Sequence, residues 1–174
     1  MNASINPTPD TNEFTGKRVL VTGGSKGIGG AITDRFQRGG ATVIITARSA
    51  PTEKTDNHFI QADASTAEGA TKVINEILNR FHGIDIIVHN VGGTSAPCGG
   101  FITVTDEIWQ QALNENLFPA VRLDRGLLPS MIQRGSGVNV GCIRRLATWQ
   151  DRRPFTRATG CAFRFELSCT RRKR

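Results

Sequence analysis

The chain has 174 residues, 38% of them hydrophobic and 21% charged, which predicts one globular domain with a sizeable core. No apolar run has the length of a membrane span, so a membrane protein is excluded. The chain does not open with a basic segment followed by an apolar one, so we predict a cytoplasmic protein without a secretory signal. The four cysteines are then expected to be thiols, and the histidines lack metal-ligand spacing to them, so no metal site is predicted.

The first half of the chain alternates short apolar runs with an amphipathic segment. Residues 1–15 are polar, contain two prolines and predict a flexible N-terminal arm. The elements predicted after it are a strand at Arg18–Thr22, a helix at about Gly27–Arg38, a strand at Ala41–Thr46, a loop at Ser49–Asn57 and a strand at His58–Ala62. On the helix, Ile28, Ile32 and Phe36 share one face.

The same alternation continues to Val140. Ser65 and Glu68 have capping-box spacing, and the apolar residues that follow predict a helix ending at His82-Gly83. Further predicted elements are a strand at Ile84–Val88, a glycine-rich loop at 92–100, helices at about Asp106–Leu117 and Pro119–Gln133, and a strand at Val138–Val140. On the last helix the residues expected to be buried are Val121, Leu127, Leu128, Met131 and Ile132.

Strands that alternate with helices predict an α/β fold, a doubly wound parallel sheet of about five strands over residues 16–140. Residues 141–174 carry 10 Lys/Arg and 2 Asp/Glu, a balance of +8 against −1 for residues 1–140, and show no clear apolar periodicity. This basic segment favours a solvated or disordered end, and binding of nucleic acid through Arg171–Arg174 is the weaker alternative.

The segment from Thr22 to Gly29 joins the first strand to the first helix. Such an arrangement places backbone N–H groups and a helix N-terminus around a pyrophosphate. Gly23 and Gly27 allow a tight turn, Gly29 allows close packing of helix and strand, and the Ser25 hydroxyl can contact phosphate. The expected cofactor-binding residues of this segment are Gly23, Ser25, Lys26, Gly27, Ile28 and Gly29.

The core Thr-Gly-x-x-x-Gly-x-Gly resembles the short-chain dehydrogenase/reductase family. Four more segments match that family in order: Asp63, Asn90-Val91-Gly92 preceded by His89, Asn116-Leu117, and Gly135 to Val140. The resemblance implies a Rossmann-type fold and an oxidoreductase that acts on a carbonyl compound or a secondary alcohol with a nicotinamide cofactor. It also implies that Asp63 contacts the adenine end of the cofactor, that Asn90 and Gly92 bind it, and that Asn116 belongs to the catalytic tetrad.

Each of these residues also has a structural interpretation. Asp63 can be a residue at a helix N-terminus, Asn90 a turn residue and Asn116 a structural residue within a helix. The shared register of the segments favours the functional roles of Asp63 and Asn90, and it leaves the two roles of Asn116 open.

The cofactor choice can be argued from the end of the second strand. An NAD site usually has an acidic residue there for the ribose 2′-hydroxyl, whereas this chain has Ala47-Arg48-Ser49. Arg48 can pair with a 2′-phosphate, and Lys26 can add a second positive charge. NADP(H) is therefore predicted over NAD, although both side chains could be ordinary exposed cations.

The residues that should transfer the proton are absent. The family uses Tyr-x-x-x-Lys and a Ser, and this chain contains no tyrosine. On a loose register Cys142 replaces the Ser, Phe155 the Tyr and Thr159 the Lys, and none of these can do the proton chemistry. The chain also lacks the family's C-terminal strands, and a shifted reading frame or degenerate gene end is the hypothesis for residues 141–174.

Two functions follow from this pattern. The chain is an NADP(H)-dependent oxidoreductase by family resemblance, with impaired catalysis and a small carbonyl or alcohol substrate, or it is a non-catalytic NADP(H)-binding remnant or pseudoenzyme. The identity of the substrate is left open, and so is assembly into a homo-oligomer through the helix at Pro119–Gln133, because the apolar face of that helix could equally belong to the core.

Overall fold

A computed structural model describes residues 11–50, 57–93, 101–142 and 162–166, along which strands and helices alternate. The elements are β1 at Arg18–Thr22, α1 at Gly27–Arg38, β2 at Thr42–Ala47, β3 at His58–Gln61, α2 at Ala67–Phe81, β4 at Ile86–His89, α3 at Asp106–Asn116, α4 at Phe118–Arg134, β5 at Val138–Cys142 and β6 at Ala162–Glu166. Within these ranges, none of the helices combines the length and apolar character needed to cross a membrane.

The strands form one sheet in the order β3-β2-β1-β4-β5-β6. The first five are parallel, and the order reverses direction next to β1, which is the topology of a doubly wound Rossmann-type fold. The α/β prediction is thus confirmed for the five strands up to residue 142. The sixth strand is not predicted by the sequence; it pairs antiparallel with β5 and forms one edge of the sheet.

The two faces of the sheet carry separate apolar clusters, because successive side chains of a strand point to opposite faces. One cluster joins the sheet to α2 and α4 and includes Leu20, Ile44, Ile60, Ile87, Val73, Ile77, Leu123, Leu127 and Met131. The other lies toward α1 and includes Val19, Val21, Val43, Ile45, Ile86 and Val88, with Ile32 and Phe36 packed against it. Strands that are apolar on both faces explain why the β-branched runs could be recognised in the sequence.

Three local predictions need correction. The N-cap of α2 is Thr66, whose Oγ1 accepts from the Gly69 N–H, because the hydroxyl of Ser65 is engaged elsewhere. Ile132 was expected to be buried but is 59% exposed, since α4 turns Leu127 and Met131 toward the core. Ile28 is predicted to share one helix face with Ile32 and Phe36, but only the latter two pack against the core, and Ile28 is 65% exposed at the helix start.

Residues 11–15 belong to the segment predicted as a flexible arm. The structure places them in turns against α1, where the Phe14 N–H donates to the Gly39 carbonyl at 2.7 Å. The Phe14 and Phe36 ring centroids lie 4.7 Å apart, and Glu13 pairs with Arg35. These contacts attach this part of the arm to the end of α1; residues 1–10 lie outside the described ranges.

A charged clamp joins β1 and β4 at the amino edge of the sheet. The Arg18 guanidinium donates to both oxygens of Asp85, at 2.7 and 2.9 Å, and to the Phe81 carbonyl at 2.7 Å. The backbone N–H of Arg18 donates to Asp85 Oδ2 as well, at 2.9 Å. Hydrogen bonding from Arg18 holds the pKa of the Asp85 carboxyl below its usual range, although partial burial opposes that shift. The clamp fixes the offset of the two strands whose other ends carry the candidate site.

Candidate functional site

The glycine turn between β1 and α1 lies at the carboxyl edge of the sheet, where the strand order reverses. Gly23 and Gly27 have φ angles of 65° and 59°, a region that glycine adopts without strain. Gly29 lies so close to the turn that a Cβ there would be 2.1 Å from the Gly23 carbonyl oxygen and 2.5 Å from Asn90 Nδ2. The three glycines therefore permit the turn conformation and the close approach of the helix.

The start of α1 combines unpaired N–H groups with open space. Lys26, the N-cap, makes no side-chain capping bond within the described part of the chain, and the first helical turn contains no acidic residue. Helix geometry leaves the N–H groups of Gly27, Ile28 and Gly29 without intrahelical partners. A Cβ at Gly27 would meet nothing within 4 Å, so the space beside the helix start is open. Open space, free donors and the positive end of the helix dipole fit a phosphate group.

Asn90 attaches the end of β4 to the glycine turn. Its Nδ2 donates to the Thr22 carbonyl at 3.2 Å and to the Gly23 carbonyl at 3.4 Å. The backbone N–H groups of Asn90 and Val91 donate to the buried Thr22 hydroxyl at 2.8 and 3.0 Å, and that hydroxyl donates to Val88. The Asn90 amide thus holds the turn in place, in keeping with its structural interpretation as a turn residue, and its cofactor-binding role stays a prediction.

Asn116, the last residue of α3, is hydrogen-bonded at both ends of its amide. Its Nδ2 donates to the carbonyls of Gly93 and Ala112 at 2.9 and 2.8 Å, and its Oδ1 accepts from the Gly93 N–H at 3.1 Å. A Cβ at exposed Gly92 would lie 2.9 Å from Asn116 Oδ1. Asn116 therefore ties α3 to the loop after β4, in keeping with its structural interpretation, and its catalytic role stays a prediction.

Asp63 lies in the turn between β3 and α2. Its Oδ1 accepts from the Ser65 hydroxyl at 2.7 Å and from the Ser65 N–H at 3.0 Å. The Ser65 hydroxyl is the main reason that the pKa of Asp63 is lowered; the Ser65 N–H and the charge of Arg48 act in the same direction, and partial burial opposes them. The guanidinium of Arg122, which lies over the Phe118 ring, donates to the Ser65 carbonyl at 2.6 Å. The turn thus presents an ionised carboxylate and is anchored to α4.

Arg48 is the first residue after β2 and is exposed, as is Lys26 in the glycine turn. Among the described residues neither cation joins an ion pair, and the residues around Arg48 in the chain, Ala47 and Ser49, are uncharged. The Arg48 backbone carbonyl accepts a hydrogen bond from Gln61 Nε2 at 3.0 Å. Both positive charges remain available to an anionic ligand.

Three side chains in contact with this edge were not singled out as site residues by the sequence: Gln61, Arg122 and the buried His89, whose Nε2 lies 2.7 Å from Asp124 Oδ1 on α4. Their partners are 13, 57 and 35 residues away, so no local spacing indicates them. Cys142 ends β5 with its side chain undescribed, and Phe155 and Thr159 lie outside the described residues. In the described ranges no group of three His, Cys, Asp or Glu side chains could hold a metal ion.

The family model described as short chain dehydrogenase matches residues 17–149. The chain is 36% identical over 130 residues to the uncharacterized oxidoreductase YvrD of Bacillus subtilis, a match that covers 70% of this chain and 48% of that protein. It is 28% identical over 156 residues to the mouse (Mus musculus) dehydrogenase/reductase SDR family member 4, covering 83% of this chain and 56% of that protein. The chain spans about half the length of the curated relatives it matches.

Solved structures match the described fold as well. The L-sorbose reductase from Gluconobacter frateurii, complexed with NADPH and L-sorbose, has a TM-score of 0.66 and 32% identity, over 75% of this chain and 53% of that chain. A short-chain dehydrogenase from Streptomyces avermitilis has a TM-score of 0.65 and 33% identity, over 72% and 48% of the two chains.

Proposed function

Because the chain belongs to the short-chain dehydrogenase family, we propose that it binds NADP(H) at the carboxyl edge of its sheet. The proposed reaction is oxidoreduction of a small carbonyl compound or secondary alcohol, in a cytoplasmic setting. The observation that carries the proposal is the uncapped, open start of α1 behind the Gly23–Gly29 turn, which fits a pyrophosphate.

The preference for NADP(H) rests on charge. The 2′-phosphate that distinguishes NADP(H) from NAD(H) would meet Arg48 at the end of β2, with Lys26 as a second cation, and no acidic residue adjoins Arg48 in the chain to repel it. We expect Asp63, whose lowered pKa keeps its carboxyl group ionised, to contact the adenine end of the cofactor. The NADPH reported in the L-sorbose reductase structure supports the same choice.

The chemistry divides between cofactor and protein. When bound, the nicotinamide donates or accepts the hydride. The protein would bind and orient the cofactor: the glycine turn would hold the pyrophosphate, while Asn90 holds the turn and Asn116 holds the adjoining loop. Proton transfer by the family's tyrosine is not provided for, since these 174 residues contain no tyrosine. We therefore expect impaired turnover, and a non-catalytic NADP(H)-binding protein is the second candidate function.

A fluorescence titration with NADPH and NADH tests the proposal. We expect saturable NADPH binding that is at least about tenfold tighter than NADH binding, as one charge-assisted hydrogen bond to the 2′-phosphate would give. Arg48→Ala should remove most of that ratio. Arg38→Ala, which removes an exposed cation from the far end of α1, should leave the ratio unchanged.

Absence of saturable binding by either cofactor would contradict the proposed site. A panel of ketones and aldehydes, followed by NADPH absorbance, then separates the two functions. Turnover of any of them supports the enzyme, and binding without turnover supports the non-catalytic alternative.

A further inference from the structure

A side chain contacts the backbone just beyond the end of the β2–β3 pairing. The two strands pair up to Ala47 and Gln61, and the Ala62 N–H donates to the Ala47 carbonyl at 3.1 Å. The next carbonyl along the chain is that of Arg48, which lies just beyond the end of β2. It accepts instead from Gln61 Nε2, at 3.0 Å. The side chain of Gln61 thus holds the peptide that follows the last paired residue of β2.

Gln61 is itself held from α2. The Nζ of Lys72 donates to the Gln61 backbone carbonyl at 2.9 Å, and the Gln61 residue is the last of β3. Its backbone is therefore fixed on one side by the strand and on the other by the helix. A donor on a fixed backbone restricts the position of the peptide that it contacts, and here that peptide belongs to Arg48.

The position of Arg48 matters because its guanidinium has two potential anionic partners. The charge of Arg48 contributes to the lowered pKa of Asp63, so the two groups interact electrostatically. A 2′-phosphate is the other partner, if the proposed function holds. If the backbone at Arg48 were unrestrained, the long Arg48 side chain would lose more conformational entropy when it bound a phosphate. A restrained backbone reduces that cost.

We propose that Gln61 is a positioning residue for Arg48 and, through it, a determinant of the preference for NADP(H) over NAD(H). The inference rests on the proposed function, and the geometry that carries it is the bond from Gln61 Nε2 to the Arg48 carbonyl. In this role Gln61 acts on the protein backbone, through its bond to the Arg48 carbonyl, and needs no contact with the cofactor.

Gln61→Met tests the proposal, since methionine has a similar length and no donor. We expect the ratio of the NADH and NADPH dissociation constants to fall about threefold to tenfold, the range that corresponds to one modest hydrogen bond. The fall should come from weaker NADPH binding, with NADH binding unchanged within twofold. Gln111→Met is the matched control, because Gln111 is also exposed and donates at 3.0 Å to Glu115, on α3.

The double variant Arg48→Ala/Gln61→Met distinguishes positioning from a general structural effect. If Gln61 acts through Arg48, the double variant has the ratio of Arg48→Ala alone. Equal weakening of both cofactors by Gln61→Met, an unchanged ratio, or additive effects in the double variant would each overturn the inference. If Arg48→Ala has the same ratio of NADH to NADPH dissociation constants as wild type, both the NADP(H) preference and the inference are overturned. If Arg48→Ala loses the ratio but Gln61→Met keeps it, only the inference is overturned.

Discussion

Replacement of Gly29 by alanine tests how closely α1 must approach the glycine turn. The added Cβ would lie 2.1 Å from the Gly23 carbonyl oxygen and 2.5 Å from Asn90 Nδ2. Neither atom can move aside freely, because one belongs to the backbone and the other donates hydrogen bonds to Thr22 and Gly23. The start of α1 must therefore move away from the turn by about 1.3 Å or more to restore ordinary van der Waals contact with the Gly23 oxygen.

Overpacking of this kind costs about 1–3 kcal/mol, which exceeds the stabilisation of roughly 0.5–1 kcal/mol that alanine gains over glycine in a helix. We expect Gly29→Ala to lower the free energy of unfolding by about 1–2 kcal/mol and the melting temperature by roughly 2–8 °C. NADPH binding should weaken at least about tenfold, since the displaced helix start loses a hydrogen bond to the charged phosphate.

Gly30→Ala is the matched control in the same helix. A Cβ there would meet only the Ser25 carbonyl carbon, at 3.9 Å, so no atom has to move. This variant should be about 0.4–1 kcal/mol more stable than wild type and bind NADPH normally. Urea denaturation and fluorescence titration of both variants decide the matter. Equal stability and equal NADPH affinity of Gly29→Ala and Gly30→Ala would refute the close-approach argument.

Two further predictions concern contacts that position the site. Asp85→Asn should lower the free energy of unfolding by about 1–3 kcal/mol at pH 7, because it leaves the Arg18 charge without its carboxylate. Since the folded-state pKa of Asp85 is lowered from 3.8, the stabilisation is complete above that pH and is lost as the pH falls through the lower folded value. The free energies of unfolding of wild type and Asp85→Asn, measured from pH 7 to pH 2.5, should therefore approach each other at the acid end. The control is Glu76→Gln, which removes the partner of Arg80 in an exposed ion pair and should change the free energy of unfolding by less than about 0.5 kcal/mol throughout. Asn116→Asp keeps the acceptor but loses both donors, so urea denaturation should show a loss of about 1–2 kcal/mol, and a loss below about 0.3 kcal/mol would contradict the anchoring role.

The parts of the fold that the sequence predicts are those determined by local pattern. The bounds of β1 and α1 agree with the structure because an apolar run, a glycine turn and a helical period follow one another there. The end of α2 at His82 was predicted from the following glycine, and the structure places His82 in the left-handed conformation at φ 56°.

The features that the sequence missed depend on competition or distance. Ser65 and Thr66 can both cap a helix, and only the structure shows that Ser65 is engaged by Asp63, which leaves the cap to Thr66. The bond from Arg122 to Ser65 spans 57 residues, and no periodicity encodes it. β6 pairs with β5 through backbone groups, which every sequence supplies, so the edge strand left no distinctive signal.

The geometry of the candidate site follows from contacts at both ends of one strand pair. Arg18 and Asp85 fix the amino ends of β1 and β4, and the Thr22 hydroxyl accepts from the Asn90 N–H at their carboxyl ends. A strand pair held at both ends cannot slip, and a slip of one residue would turn every side chain to the opposite face. This constraint keeps Asn90 against the turn at the separation that only glycine tolerates at position 29. The glycine motif is therefore one side of a close contact whose other side, Asn90, is positioned from the opposite edge of the sheet.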